Sequence, residues 1–198
     1  MADPTVQNPG DAWFWHPNVE YQTAAQLWNI YMLTVGRGAN WILNIPPNST
    51  GVIPEEFVKE TRLLGASIAS LDISRAVASV KPRTAVPVGS ALTLSLPNGA
   101  VFDTVVTTEE LAGGQLVAAY TLELCQNATS CTQLRALGGS VGKKVIDMVG
   151  KQTIAGAGAT LKFTPTKTTI PANSVQVASL HVCVAVIPSG WVEGERRR

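Results

Sequence analysis

The sequence predicts an α/β segment followed by an all-β sandwich. Residues 23 to 70 place two stretches of helical apolar spacing around one short apolar run, Asn40 to Ile45. After about Leu71 that spacing stops, and short β-rich runs recur between turn residues. At 198 residues the chain can hold one ordinary domain, or a small domain plus part of another. A hydrophobic content of 45% against 15% charged residues places it among buried globular chains and excludes disorder.

Thr23-Ala24-Ala25-Gln26 is a capping box, in which Thr23 accepts from the third helical N–H and Gln26 reaches back. Leu27, Ile30, Tyr31, Leu33 and Val35 continue as an apolar stripe, and Gly36 or Gly38 is expected to end the helix at positive φ. Asn40 to Ile45 has no alternation, as expected for a strand buried on both faces, and Pro46-Pro47 stops it. Pro54 is placed as the first residue of a second helix whose buried face is Phe57, Val58, Thr61, Leu64, Gly65 and Ile68. This is the rhythm of a parallel α/β protein.

Lys81-Pro82-Arg83-Thr84-Ala85-Val86-Pro87, with two prolines and no periodicity, marks a linker taken as residues 73–89. Strands are expected over Ala91–Leu96, Asp103–Thr107, Leu116–Cys125, Thr132–Leu137, Lys144–Met148, Thr160–Thr164 and Ser174–Ile187. Pro97-Asn98-Gly99, Gly113-Gly114, Gly138-Gly139 and Pro171-Ala172-Asn173 punctuate them. The run from Val117 to Leu124 alternates as a half-exposed strand should, and residues 90–190 read as a β-sandwich. Lys143 and Lys144 read as a solvated hairpin, and residues 191–198, closing on Arg196 to Arg198, as a solvated tail.

A net charge of +1 gives no argument for nucleic acid or an anionic membrane. Apolar runs such as Leu180 to Pro188 fall far short of the roughly 20 residues that span a bilayer. Met1-Ala2-Asp3-Pro4 has neither the basic start nor the apolar core of a signal peptide. Cys125 and Cys131 flank Gln126-Asn127-Ala128-Thr129-Ser130, which predicts a disulfide stapling a hairpin turn with an N-glycosylation sequon, Asn127, at its tip. Asn48-Ser49-Thr50 is a second sequon. Cys183 lies in an apolar strand pattern and reads as a buried free thiol. Neither metal nor cofactor is expected.

Trp13-Phe14-Trp15-His16-Pro17 packs three aromatics and an imidazole beside a proline, the kind of surface that suits the apolar face and hydroxyl rim of a sugar ring. With the Ala-Gln-Leu-Trp-Asn-Ile-Tyr helix, Val35-Gly36-Arg37-Gly38-Ala39-Asn40, Ile42-Leu43-Asn44-Ile45-Pro46-Pro47-Asn48 and Gly51-Val52-Ile53-Pro54-Glu55, it resembles the end of the catalytic barrel of the α-L-fucosidases, family 29 of the glycoside hydrolases. Phe102 to Leu111, Gly114 to Glu123 and Gly139 to Asp147 resemble the C-terminal discoidin-like (galactose-binding-like) β-sandwich of plant-type members. Residues 72–90 depart from that pattern, with shortened opening strands. The resemblance implies that residues 1–72 are a remnant of a (β/α)8 barrel.

The resemblance implies a retaining hydrolase that removes terminal α-L-fucose from glycans, with an Asp nucleophile and a Glu acid/base about 5 Å apart. Both belong on strands before the Trp-Phe-Trp-His segment, where the only acids are Asp3 and Asp11, neither in the family's Trp-x-Asp or Trp/Pro-x-Glu setting. Both carboxylates are therefore expected upstream of Met1, and the chain alone is expected to be inactive. A full barrel is about 250 residues. Glu55, Glu56 and Glu60 suit the dipole of a helix start, and Asp11 beside Gly10 a turn.

What remains is part of a substrate wall. Trp13, Trp15 and His16 are candidates for packing against fucose or bonding a hydroxyl; the alternative makes one or two of the segment's aromatics plain core residues, the reading adopted for Phe14. Asn44 ends an apolar strand and either faces the site or caps the turn before Pro46. Trp41 reads as barrel packing, and Arg37 as bonding the last helical carbonyls rather than an anion. The expected partners are fucosylated glycans, with a secreted or lysosomal/vacuolar setting and a homo-oligomer conceivable for the parent enzyme. The alternative function is a non-catalytic carbohydrate-binding accessory module; it needs the barrel remnant to tolerate an open strand edge, and a lectin role for the sandwich rests on fold analogy alone.

Overall fold

The computed structural model describes residues 5–7, 13–82 and 85–191, which are mostly antiparallel sheet with two helices. Asp3, Asp11, Arg83, Thr84 and Arg196 to Arg198 lie outside the described residues. The chain divides into two compact units, one of Met1–Val35, Ala39–Ser70 and Val186–Arg198, the other of Gly36–Gly38 and Leu71–Ala185.

In the first unit, α1 (Ala24–Leu33) opens on the full capping box, with Thr23 accepting from the Gln26 N–H and the Gln26 side chain accepting from the Thr23 N–H at 2.9 Å. Its buried residues are Ala24, Leu27, Trp28, Tyr31 and Met32, so the core stripe is rotated from the expected one and Leu33 is exposed. The helix ends earlier than either glycine. The Thr34 N–H reaches Ile30 O and Tyr31 O, and its hydroxyl bonds Ile30 O at 2.7 Å, while Gly38 carries its positive φ in the following turn.

The second helix, α2 (Glu55–Ser70), starts on the carbonyl of Pro54, which accepts from Phe57 and Val58. Phe57, Glu60, Leu64, Ser67 and Ser70 are its buried residues; Gly65 is exposed. The two helices pack together, and Tyr21 meets Phe57 edge-on at 6.1 Å. The expected strand at Asn40–Ile45 is not an extended ladder. It makes a parallel bridge from Asn44 to Thr5, Val6 N–H bonds Asn44 O at 2.9 Å, and Ile42 is 52% exposed. A strand is buried on both faces only where other elements cover both, and Ile42 is left open to solvent.

The described residues of the second unit form ten strands: β1 (Ala78–Val80), β2 (Val86–Pro87), β3 (Leu92–Ser95), β4 (Val101–Glu109), β5 (Val117–Cys125), β6 (Cys131–Gly138), β7 (Val145–Thr153), β8 (Thr160–Thr168), β9 (Ser174–Val175) and β10 (Val177–Cys183). Two four-stranded antiparallel sheets, β1-β10-β4-β7 and β3-β8-β5-β6, share one apolar core; β2 and β9 form a short extra pair. Phe102, Val105, Leu180 and Val182 meet Tyr120, Leu122, Leu161 and Phe163 in that core.

Four expectations need correction here. Residues 73–89 are not a plain linker: they hold a 3-10 turn, Ile73–Arg75, and the strands β1 and β2, which pair with β10 and β9. Ser174–Ile187 is not one strand; it divides at Gln176, whose carbonyl accepts from the Glu110 N–H. β5 is mostly buried, because it lies between β8 and β6 rather than at an edge. Lys144 is half-buried, and burial pulls its pKa down, so only Lys143 fits a solvated turn.

Candidate functional site

Trp13 to His16 carry no regular secondary structure, so their placement depends on side chains from elsewhere in the first unit. Asn44 donates from Nδ2 to Trp13 O at 2.6 Å and to Thr5 Oγ1 at 3.3 Å. Its amide thus ties down the aromatic segment. Gln7 donates from Nε2 to Phe14 O at 2.9 Å, and its Oε1 accepts from the His16 N–H at 3.1 Å. The short Thr5–Gln7 stretch is itself held from the far side, where Gln22 N–H bonds Val6 O at 2.7 Å and Gln22 Nε2 bonds Thr5 O at 2.6 Å.

The side chains of this segment stand outward. Trp13 is 48% exposed and Phe14 77% exposed, so Phe14 is not the core aromatic expected of it. His16 is exposed and Trp15 half-buried. The carbonyls of Trp13 and Phe14 and the His16 N–H turn toward the Gln7 and Asn44 amides, while the Trp13 and Phe14 rings face out. Trp41 is half-buried and packs edge-on to Tyr31 at 6.0 Å, as packing requires, and its indole N–H is buried with no acceptor. Just after His16 the surface is concave: Asn18, Val19, Glu20, Tyr21, Thr23, Gln26 and Glu60 line a hollow of about 570 Å³. Its amides, hydroxyl and one aromatic ring are groups that can hydrogen-bond and stack on a polyol.

The described acids of known contact serve the fold. Glu60 Oε2 accepts from the Ala24 N–H at 2.7 Å. Glu109 accepts from Leu116, Val117 and Gly142 N–H groups at 2.6, 2.9 and 3.1 Å. Asp103 Oδ1 holds Thr104 Oγ1 and the Ala185 N–H, and Asp72 caps the 3-10 turn through the Ser74 N–H. Asp147 pairs with Arg135 at 2.6 Å and lies 3.6 Å from Arg37. Arg37, read as bonding helical carbonyls, instead sits in the second unit, donating to Ile146 O at 3.2 Å. No group of three His, Cys, Asp or Glu side chains among the described residues is arranged to hold a metal ion, and no described helix is long and apolar enough to cross a membrane.

Cys125 and Cys131 oppose each other across β5 and β6 and are joined by a disulfide, with Cα atoms 3.9 Å apart. Asn127 Oδ1 accepts from the Thr129 hydroxyl at 3.0 Å, and Asn48 Oδ1 from the Thr50 hydroxyl at 2.7 Å. Cys183 is a buried free thiol, its pKa pushed up to about 12 by burial and by the nearby Asp103 charge.

The α-L-fucosidase family model matches residues 4–69. The similarity to that family covers a third of the chain. The relationship extends to plants, since α-L-fucosidase 1 of Arabidopsis thaliana is 47% identical over 47 residues, which are 24% of this chain and 9% of that protein. Among solved structures, a chain assigned as an α-L-fucosidase from Bacteroides thetaiotaomicron matches with a TM-score of 0.77 at 22% identity, covering 94% of this chain and 41% of its own. A Ruminococcus gnavus family 29 fucosidase, solved in complex with fucose, matches with a TM-score of 0.71 at 20% identity, over 92% of this chain and 40% of its own. At these identities the structural likeness concerns the fold alone, and the chain spans less than half of either solved fucosidase.

Gln7, which holds the aromatic segment, and Glu60, which caps α1, were not singled out for these roles in the sequence. The capping box gave a local signal for the start of α1, but nothing near Glu60 marks it as a partner of Ala24, and nothing near Gln7 points to Phe14 and His16.

Proposed function

We propose that this chain is the C-terminal part of a retaining α-L-fucosidase that removes terminal α-linked fucose from glycans. On this reading the first unit is the end of a (β/α)8 barrel and the second a discoidin-like sandwich. The observation that carries it is the family match over residues 4–69, within which Trp13 and Phe14 are exposed and their backbone is held from beneath. Trp13, Trp15 and His16 then form a wall for the sugar ring, with aromatic faces against its C–H groups and His16 toward a hydroxyl; Asn44 supports that wall from behind.

The carboxylate pair of such an enzyme is not assigned to the acids described above, because those with known contacts are already occupied by backbone and arginine partners. The chain of residues 1–198 is expected to give no turnover of a fluorogenic α-L-fucoside. Turnover at the rate of an ordinary glycosidase would overturn this assignment. The partners are fucosylated glycans, and the setting a secretory one, secreted or lysosomal/vacuolar. Asn127 on the disulfide-closed loop and Asn48 in its turn are the glycan acceptors of this reading. Expression through a secretory pathway should give a mass that drops on N-glycan removal, and the drop should shrink with Asn127→Gln and Asn48→Gln. An unchanged mass would refute the acceptor assignment.

A further inference from the structure

Gln7 has no polar surface of its own to offer a ligand, since it is wholly buried. Its amide nevertheless faces two main-chain groups of the aromatic segment, two residues apart. The orientation of that amide is fixed by chemistry: Phe14 O can only accept and the His16 N–H can only donate, so Nε2 must lie on the first and Oε1 on the second. Asn44 adds a third bond, to Trp13 O. The backbone of Trp13, Phe14 and His16 is thus held by two side-chain amides in a stretch without helix or strand. Large rings standing in solvent on an irregular loop would otherwise sample many orientations, and ordering them on binding would cost affinity.

We infer that Gln7 is a positioning residue, which fixes the Trp13–His16 backbone so that its exposed rings meet a sugar already ordered. This rests on the fucose-wall reading above. Only an amide of this length supplies one donor and one acceptor to both groups at once. A carboxylate keeps the acceptor for His16 but sets an oxygen against Phe14 O; a thioether of the same length supplies neither.

The test uses the full chain with Gln7→Met, Gln7→Glu and, as a control of comparable destabilisation, Leu64→Ala in the helical core of the same unit. Two quantities are read: hydrogen exchange of the His16 amide, and the affinity for L-fucose from titration of the indole resonances, with D-galactose as the control sugar. Expected is a loss of His16 protection of about tenfold in Q7M, the scale of one hydrogen bond, with protection retained in Q7E. Fucose affinity should fall by a similar factor, about tenfold, in Q7M and by less in Q7E and L64A. Unchanged His16 exchange in Q7M would overturn the inference, as would an equal loss of affinity in L64A. If the unaltered chain does not bind L-fucose, the wall reading fails, and His16 exchange alone decides whether Gln7 clamps the segment.

Discussion

Tyr120 donates its phenol to the buried carboxylate of Asp147 at 2.6 Å, inside the core shared by the two sheets. The other oxygen of Asp147 takes Arg135 at 2.6 Å, with Arg37 at 3.6 Å. Burial, reinforced by the Asp147 charge and the hydrogen bond, raises the phenol pKa, so Tyr120 stays a donor at neutral pH. Asp147 is 1% exposed, and an anion there is tolerable only with its partners in place. Removing the phenol by Tyr120→Phe leaves the arginines and should cost about 1–3 kcal/mol. Arg135→Ala leaves a buried charge with only the phenol and a more distant guanidinium, and should cost more, toward about 3 kcal/mol. Urea unfolding of the two variants reads the order; equal or reversed midpoints would count against this account.

Gly138 ends β6 opposite Tyr120, and a methyl group built there would overlap the Tyr120 ring. Tyr120 cannot swing away, because its hydroxyl is held by Asp147 and its ring stacks on Phe163 at 5.1 Å. Gly138→Ala should therefore cost at least the about 1–3 kcal/mol of an overpacked core. Gly139→Ala next door meets nothing within 4 Å and should be nearly neutral. A thermal melt of both variants separates the two expectations.

The contrast between local and distant contacts explains what the chain reveals unaided. Thr23 and Gln26 are three residues apart, and the capping box they make was readable as a local motif. Most strands of the second unit were readable too, since each is an apolar run between turn residues. Glu60 meets Ala24 across 36 residues, and Arg37 meets Ile146 across 109. No local pattern encodes such pairings; only the folded chain brings them together. Pro165 illustrates a subtler failure: a proline predicts the end of a strand, yet β8 continues past it to Thr168. The ladder with β3 stops at Phe163, so on that side the absent proline N–H interrupts no β3 pairing. In the site, Trp13 and His16 were recognisable by type, but Gln7, which holds them, carries no local mark.

His181 is buried on β10, with Nε2 3.0 Å from Leu71 O and no partner on Nδ1. Since Leu71 O can only accept, Nε2 carries the proton of a neutral ring. Burial lowers its pKa from 6.5; the Leu71 bond and Asp72 oppose that, and Lys144 adds to it. The unfolded chain thus binds this proton more readily than the native one. Stability from this group is complete above the unfolded value and declines as pH falls through the lowered native value. Unfolding midpoints for the unaltered chain should drop between neutral and mildly acid pH, and His181→Gln should flatten that slope. An equal slope in both would remove His181 as its cause.

Glu60 sits on the buried face of α2, and its Oε2 accepts from the first N–H of α1, that of Ala24, at 2.7 Å. The first N–H groups of a helix have no partner within it, and the positive end of the dipole favours a carboxylate there. α1 has no acid of its own in its first turn, so Glu60 supplies from the neighbouring helix what its sequence lacks. Thr23 already serves the Gln26 N–H, and the two caps are not redundant because they satisfy different donors. Glu60→Gln keeps an acceptor and loses the charge; it should cost only a few tenths to about 1 kcal/mol. Glu60→Ala leaves the Ala24 N–H buried without a partner and should cost about 1–3 kcal/mol. Far-ultraviolet dichroism during urea unfolding reads both. If the two variants proved equal, Glu60 would be acting by charge alone, and the hydrogen bond to Ala24 would contribute nothing to holding the helix start in place.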